Sequence, residues 1–186
     1  MKLLLLGLVL LLFSCAPKVK HECRTDPSLY SEYMKRDIPE NFRIYGVIKY
    51  GPLKFPTLLA KFEGNYTVKV ARAKDISINE ERFCFKGKCY ILPAPPEDLI
   101  FGRLLGGREE FYCVEGLTYA RTRDRFYEKV VVFEDYKPKE ISITNLKSGR
   151  SMKVLPGKKS DKGFFREIEF VMEGGEVKLL IEEVEI

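Results

Sequence analysis

The chain has no tryptophan and a single histidine in 186 residues. His21 stands in a polar stretch, so triads that need a histidine base and metal sites built from several histidines are excluded. The motifs of Ser-nucleophile hydrolases, phosphate-binding loops and zinc proteases (Gly-x-Ser-x-Gly, Gly-Lys-Ser/Thr, His-Glu-x-x-His) do not occur. Glu109-Glu110 and Glu182-Glu183 are sequence neighbours, so in strands each pair points to opposite faces, a poor geometry for paired acid–base work. These features point away from an enzyme, a metal site or a cofactor. No apolar run reaches the ~20 residues needed to span a bilayer; the longest opening run is the eleven residues Leu3–Phe13. Charge does not favour one sign strongly, with 32 basic and 27 acidic residues. No basic stripe carries interleaved aromatics, which argues against a nucleic-acid partner.

What is present starts at the N-terminus. Lys2 precedes the short apolar run, and Leu12-Phe13-Ser14-Cys15 follows without a break. The length suits the hydrophobic region of an export signal. The ending resembles a bacterial lipobox, with Leu at −3, a small residue at −1 and the cysteine at +1. That resemblance implies a signal peptide over residues 1–14, cleavage before Cys15, acylation (palmitate-type chains) of Cys15 and a mature protein held on a membrane by its lipid. Ala16, rather than Asp, after the cysteine implies the outer membrane, with the domain facing the periplasm. Residues 15–25 read as a flexible tether and 26–186 as one domain, long enough to bury a core.

Export also permits disulfides. In "RFCFKGKCYI" two β-rich runs flank Lys86-Gly87, as in a two-residue hairpin. Phe85 then faces Lys88 and Cys84 faces Cys89, within bridging distance, so a Cys84–Cys89 disulfide is expected. Cys23 and Cys113 are left as a second pair by elimination alone.

Asp26 and Pro27 carry helix-start chemistry, and Leu29, Tyr30, Tyr33 and Met34 share a face of the helix that follows. Pro95-Pro96 opens a second helix, continued by Leu99, Ile100, Arg103 and Leu104 and closed by Gly106-Gly107. Elsewhere the period is two. Phe42, Ile44, Gly46 and Ile48 alternate on one strand; Leu58, Ala60 and Phe62 are placed together on the next; Tyr66, Val68 and Val70 follow. The last segment changes parity between Ile181 and Val184, which predicts a bulge near Glu182-Glu183. About eleven short antiparallel strands with two short helices form a mainly β fold. Two helices are too few to cover so wide a sheet unless it curls, so the expected architecture is a curved, incompletely closed barrel with a helical lid.

The order of lipobox, tether, helix, "FRIYGVIKYG", a meander, "PPEDLIFGRLLGG", then "KPKEISITN" and "EVKLLIEEVEI" resembles the LolA/LolB-like lipoprotein-carrier superfamily, with the lipid-anchored LolB type the nearer pattern. The resemblance implies an apolar cavity holding acyl chains of lipids or acylated lipoproteins, delivery to the outer membrane, and a periplasmic carrier as partner. Its cavity residues here are Phe42, Ile44, Ile48, Phe62, Tyr66, Val68 and Val70. The same residues equally suit a filled core, as in a structural or assembly lipoprotein of the envelope that carries no ligand. Leu53, in "YGPLKFP", is the candidate for a protruding membrane contact.

Overall fold

A computed structural model describes residues 23–186; the signal segment and Cys15 lie outside these. Ten strands form one antiparallel sheet. They are β1 (Phe42–Tyr50), β2 (Leu53–Phe62), β3 (Asn65–Val70), β7 (Glu110–Val114), β8 (Leu117–Arg123), β9 (Tyr127–Glu134), β10 (Lys137–Asn145), β11 (Ser151–Pro156), β12 (Glu167–Met172) and β13 (Gly175–Glu185). Their spatial order is β3-β2-β1-β13-β12-β11-β10-β9-β8-β7. The edge strands β3 and β7 do not pair, so the curved sheet stays an open half-barrel. The segment between them carries a second, three-stranded sheet, β4 (Ile76–Ile78), β5 (Arg82–Phe85) and β6 (Lys88–Ile91), and one α-helix, α1 (Pro96–Phe101).

"EFYCVEGLTYART" forms the hairpin β7–β8, with Glu115-Gly116 as its turn. The helices are shorter than their patterns suggest. Pro27–Tyr33 is 3₁₀ rather than α, with Asp26 Oδ1 accepting from the Ser28 N–H at 2.9 Å. A three-residue repeat places Tyr30 and Tyr33 on the same side, both buried, and leaves Leu29 exposed. α1 stops at Gly102, whose left-handed φ of 84° closes the helix through its N–H to the Asp98 carbonyl. Leu104 and Leu105 instead donate backbone N–H bonds to the Tyr33 carbonyl, joining the two helices.

The chain closes where β1 meets β13. Tyr45 faces Glu183 but Gly46 faces Ile181, so Glu182 is the extra residue of a bulge. This is the predicted position. Before the bulge Val177, Leu179 and Ile181 point inward; after it, Val184 continues the inward face.

The two disulfides sit at opposite parts of the domain. Cys84 and Cys89 face each other in β5–β6 with Cα atoms 4.0 Å apart and are bonded. Lys86 and Gly87 take φ of 50° and 75°, the positive values that a two-residue hairpin turn of the right twist requires. Cys23 is bonded to Cys113 on β7, with a Cα separation of 6.0 Å. Arg24 is also held, its carbonyl accepting from the Tyr30 hydroxyl at 2.9 Å. Cys23 and Arg24, within the stretch expected as tether, are thus bonded to the domain.

Candidate ligand site

The concave face of the large sheet and the covering segment enclose the one extended hydrophobic cluster found among the described residues. Phe42, Ile44 and Ile48 alternate inward from β1 and are buried. The cover meets them with rings. Phe83 stacks on Phe170 with centroids 4.8 Å apart, Phe85 meets Tyr50 edge-on at 4.8 Å, and Phe101 meets Phe42 at 5.8 Å. Such packing leaves little space. An apolar hollow of about 10 Å³ remains beneath α1, bounded by Ile44, Ile48, Leu59, Ile78, Ile100 and Leu179.

β2 corrects the expected parity. Ile44 faces Leu59 and Phe42 faces Lys61, so the inward side of β2 is Phe55, Thr57, Leu59 and Lys61. Leu58, Ala60 and Phe62 point outward, and Phe62 is 61% exposed. Phe62 therefore stays outside the cluster that holds or contacts the other six expected residues, and Leu59 takes its place; of those six only Ile44 and Ile48 border the hollow. The physical reason is the Glu63-Gly64 turn. A two-residue loop sets Phe62 opposite Asn65 and Lys61 opposite Tyr66. Tyr66, Val68 and Val70 do face inward, opposite Lys61, Leu59 and Thr57, but they are half-buried because β3 is an edge. Leu53 begins β2 next to the Gly51-Pro52 turn and is 52% exposed. Ile78 and Ile100, from the cover, complete the hollow. Their short segments carry no periodicity that relates them to β1, so no sequence signal assigns them there.

The seam between cover and β3 is polar. Glu97, in the first turn of α1, is 6% exposed and receives Lys61 Nζ at 3.4 Å on Oε1. Glu97 Oε2 and the Tyr66 hydroxyl are buried without a well-formed hydrogen bond to any described residue. Burial, reinforced by the charges of Glu97 and Glu80 and by the approach of the hydroxyl to the Glu97 carboxylate, pushes the Tyr66 phenol well above the ordinary tyrosine range, so it stays protonated near neutrality. Lys129, on β9, has its ammonium pushed down by burial, against the opposing pull of Glu109 and Asp98. Among the described residues no group of three or more His, Cys, Asp or Glu is placed to hold a metal ion, and no helix is long and apolar enough to cross a membrane.

No protein-family model matches the chain, and no curated protein matches it. Among solved structures it is similar to a LolA superfamily protein from Nitrosomonas europaea, at 12% identity over 88% of this chain and 94% of that one, with a TM-score of 0.49.

Proposed function

We propose that this chain is a membrane-anchored envelope protein that shelters apolar chains between its curved sheet and its cover, and that the closed structure is the unloaded state. The ligands are the acyl chains of lipids or of acylated lipoproteins. Anchoring is through Cys15, on the outer membrane with the domain facing the periplasm, and the cargo arrives from a periplasmic carrier. The lipobox pattern and the resemblance of the strand and helix order to lipoprotein carriers support this reading.

The observation that carries it is the seam at β3. A buried polar group without a well-formed hydrogen bond costs up to about 1–3 kcal/mol, and Tyr66 Oη and Glu97 Oε2 lie so where α1 meets the edge strand, close to each other but outside good hydrogen-bond geometry. Water reaching an opened seam would satisfy both. Parting the cover there exchanges the Lys61–Glu97 contact for water and breaks no aromatic contact, and it uncovers Leu59, Val68 and Ile100. An acyl chain sliding in would restore the lost burial at ~25 cal/mol per Å². No bond is made or broken in such a cycle.

A second reading is a structural or assembly lipoprotein without ligand. The size of the hollow favours it, since about 10 Å³ is far below the ~300 Å³ or more of ordinary ligand pockets. Titration of the purified mature protein with a fluorescent fatty acid, followed by hydrogen exchange, separates the two. The carrier reading expects saturable uptake with altered amide exchange in Pro96–Phe101. Absence of uptake, with exchange unchanged by the fatty acid, establishes the second reading.

A further inference from the structure

Beyond the hollow under α1, a pocket of about 170 Å³ opens where β6 passes the end of the β10–β11 hairpin. Its charged lining is Arg82, from β5, and Arg150, from the β10–β11 turn, with no carboxylate among the lining residues. Neither Arg82 nor Arg150 has an ion-pair partner among the described residues, unlike Arg103, Arg121 and Arg123, which pair with Asp98, Glu110 and Glu128. Two guanidinium groups brought to one pocket by different sheets repel each other unless an anion lies between them. Neutral donors stand beside them. Asn145 uses its Oδ1 to accept from the Lys147 and Ser148 N–H groups, and Ser148 Oγ accepts from the Arg150 N–H. The Asn145 amide N–H₂ and the Ser148 hydroxyl proton remain available to donate. Ile143 and Met152 give the pocket an apolar floor.

We propose that this pocket binds the phosphate ester of an anionic lipid headgroup, one that carries no cation of its own. The planar fork of arginine matches phosphate oxygens in pairs. The headgroup source follows from the pocket's surroundings. The ladders put the β1–β2, β8–β9, β10–β11 and β12–β13 turns at one end of the sheet. Leu53, Phe126 and Leu146 stand exposed on that rim. The Leu146 N–H donates to the Phe126 carbonyl, so these two apolar residues are neighbours, and the Arg125 guanidinium lies 5.6 Å over the Phe126 ring. Apolar side chains flanked by cations suit an anionic bilayer surface.

The rim also has a direction. Cys113 lies beside the β7–β8 turn, at the opposite end of the strands. The seven residues of β8 separate the two ends by about 23 Å. If Cys15 is acylated, seven residues separate the anchor from the pinned Cys23, a reach of about 26–29 Å when fully extended, which leaves the rim free to meet a second surface while the anchor stays in its own membrane. This inference rests on the anchor but not on cargo binding under the cover.

The test mounts the mature protein on phosphatidylcholine vesicles through its own lipid and measures capture of a second vesicle population. Capture of phosphatidylglycerol vesicles but not phosphatidylcholine vesicles is expected, with competition by glycerol 3-phosphate. Arg82→Gln and Arg150→Gln, both at exposed positions, should each weaken capture about tenfold or more with the thermal midpoint unchanged. Binding of glycerol 3-phosphate by calorimetry without vesicle capture overturns the headgroup source and assigns the pocket to a soluble phosphate ester. Capture that both substitutions leave intact, or no binding in either arm, overturns the pocket itself.

Discussion

Gly46 and Leu180 approach so closely across the first and last strands that a Cβ on Gly46 would run into the Leu180 carbonyl oxygen. Their contact lies beside the Glu182 bulge that lets β13 change parity. The atom in the way is backbone within a ladder, so it has no rotamer by which to move aside. Gly46→Ala is expected to destabilise the domain by about 1–3 kcal/mol, read as a lower denaturant midpoint at unchanged slope. A midpoint equal to that of the parent chain would mean that the ladder relaxes freely here.

Tyr66 tests the polar seam. Its hydroxyl makes no well-formed hydrogen bond, so Tyr66→Phe should change stability by no more than about 1 kcal/mol at neutral pH. The pH dependence follows from the same group. Its folded pKa is raised, so the unfolded chain loses the phenolic proton first, near pH 10. The contribution is intact below pH 10 and is lost as pH rises above it. Tyr33, raised by burial and by Glu32, acts in the same direction. Tyr66→Phe should therefore flatten the alkaline decline in stability without removing it. Urea midpoints measured on both sides of pH 10 check the sign, and an equally steep decline in the variant would contradict it.

The two disulfides should differ in weight. Cys23 and Cys113 are 90 residues apart, Cys84 and Cys89 only five. Loop-closure entropy assigns the first about 4–5 kcal/mol and the second about 2. Paired Cys23→Ser and Cys113→Ser substitutions should lower the thermal midpoint clearly more than the Cys84→Ala, Cys89→Ala pair. The reverse order would show that the small hairpin bridge fixes more than its own register.

Acylation at Cys15 is tested separately from folding. Labelled palmitate should enter the wild-type protein in bacteria and fail to enter the Cys15→Ser variant, whose signal should also remain uncut. Equal label in both chains would remove the lipid anchor from the account.

Much of the fold was legible because alternation dominates. β1, β3 and β13 have apolar residues on one parity, and the parity break in β13 announced its bulge. The Cys84–Cys89 pairing was readable because Lys86-Gly87 fixes both the turn and the register. β2 misled because "KFPTLLAKF" places apolar residues on both parities and puts Thr57 and Lys61 inside. The Glu63-Gly64 turn held the missing information, since with Tyr66 inward it forces Lys61, not Phe62, to the same face. α1 read too long because Leu104 and Leu105 keep helical spacing while bonding to Tyr33. Their placement depends on a residue about 70 positions earlier, which no local pattern contains. The seam is hidden for the same reason: Glu97 looks like a helix-start acid until the cover folds it against Tyr66.

The central claim is that the space between sheet and cover opens to hold acyl chains. Native mass spectrometry of the mature protein purified from bacterial membranes tests it most directly. The account predicts a population heavier than the anchored polypeptide by one or more non-covalently held acyl ligands, displaced by added fatty acid. A single ligand-free mass, unchanged after incubation with excess fatty acid, would contradict it.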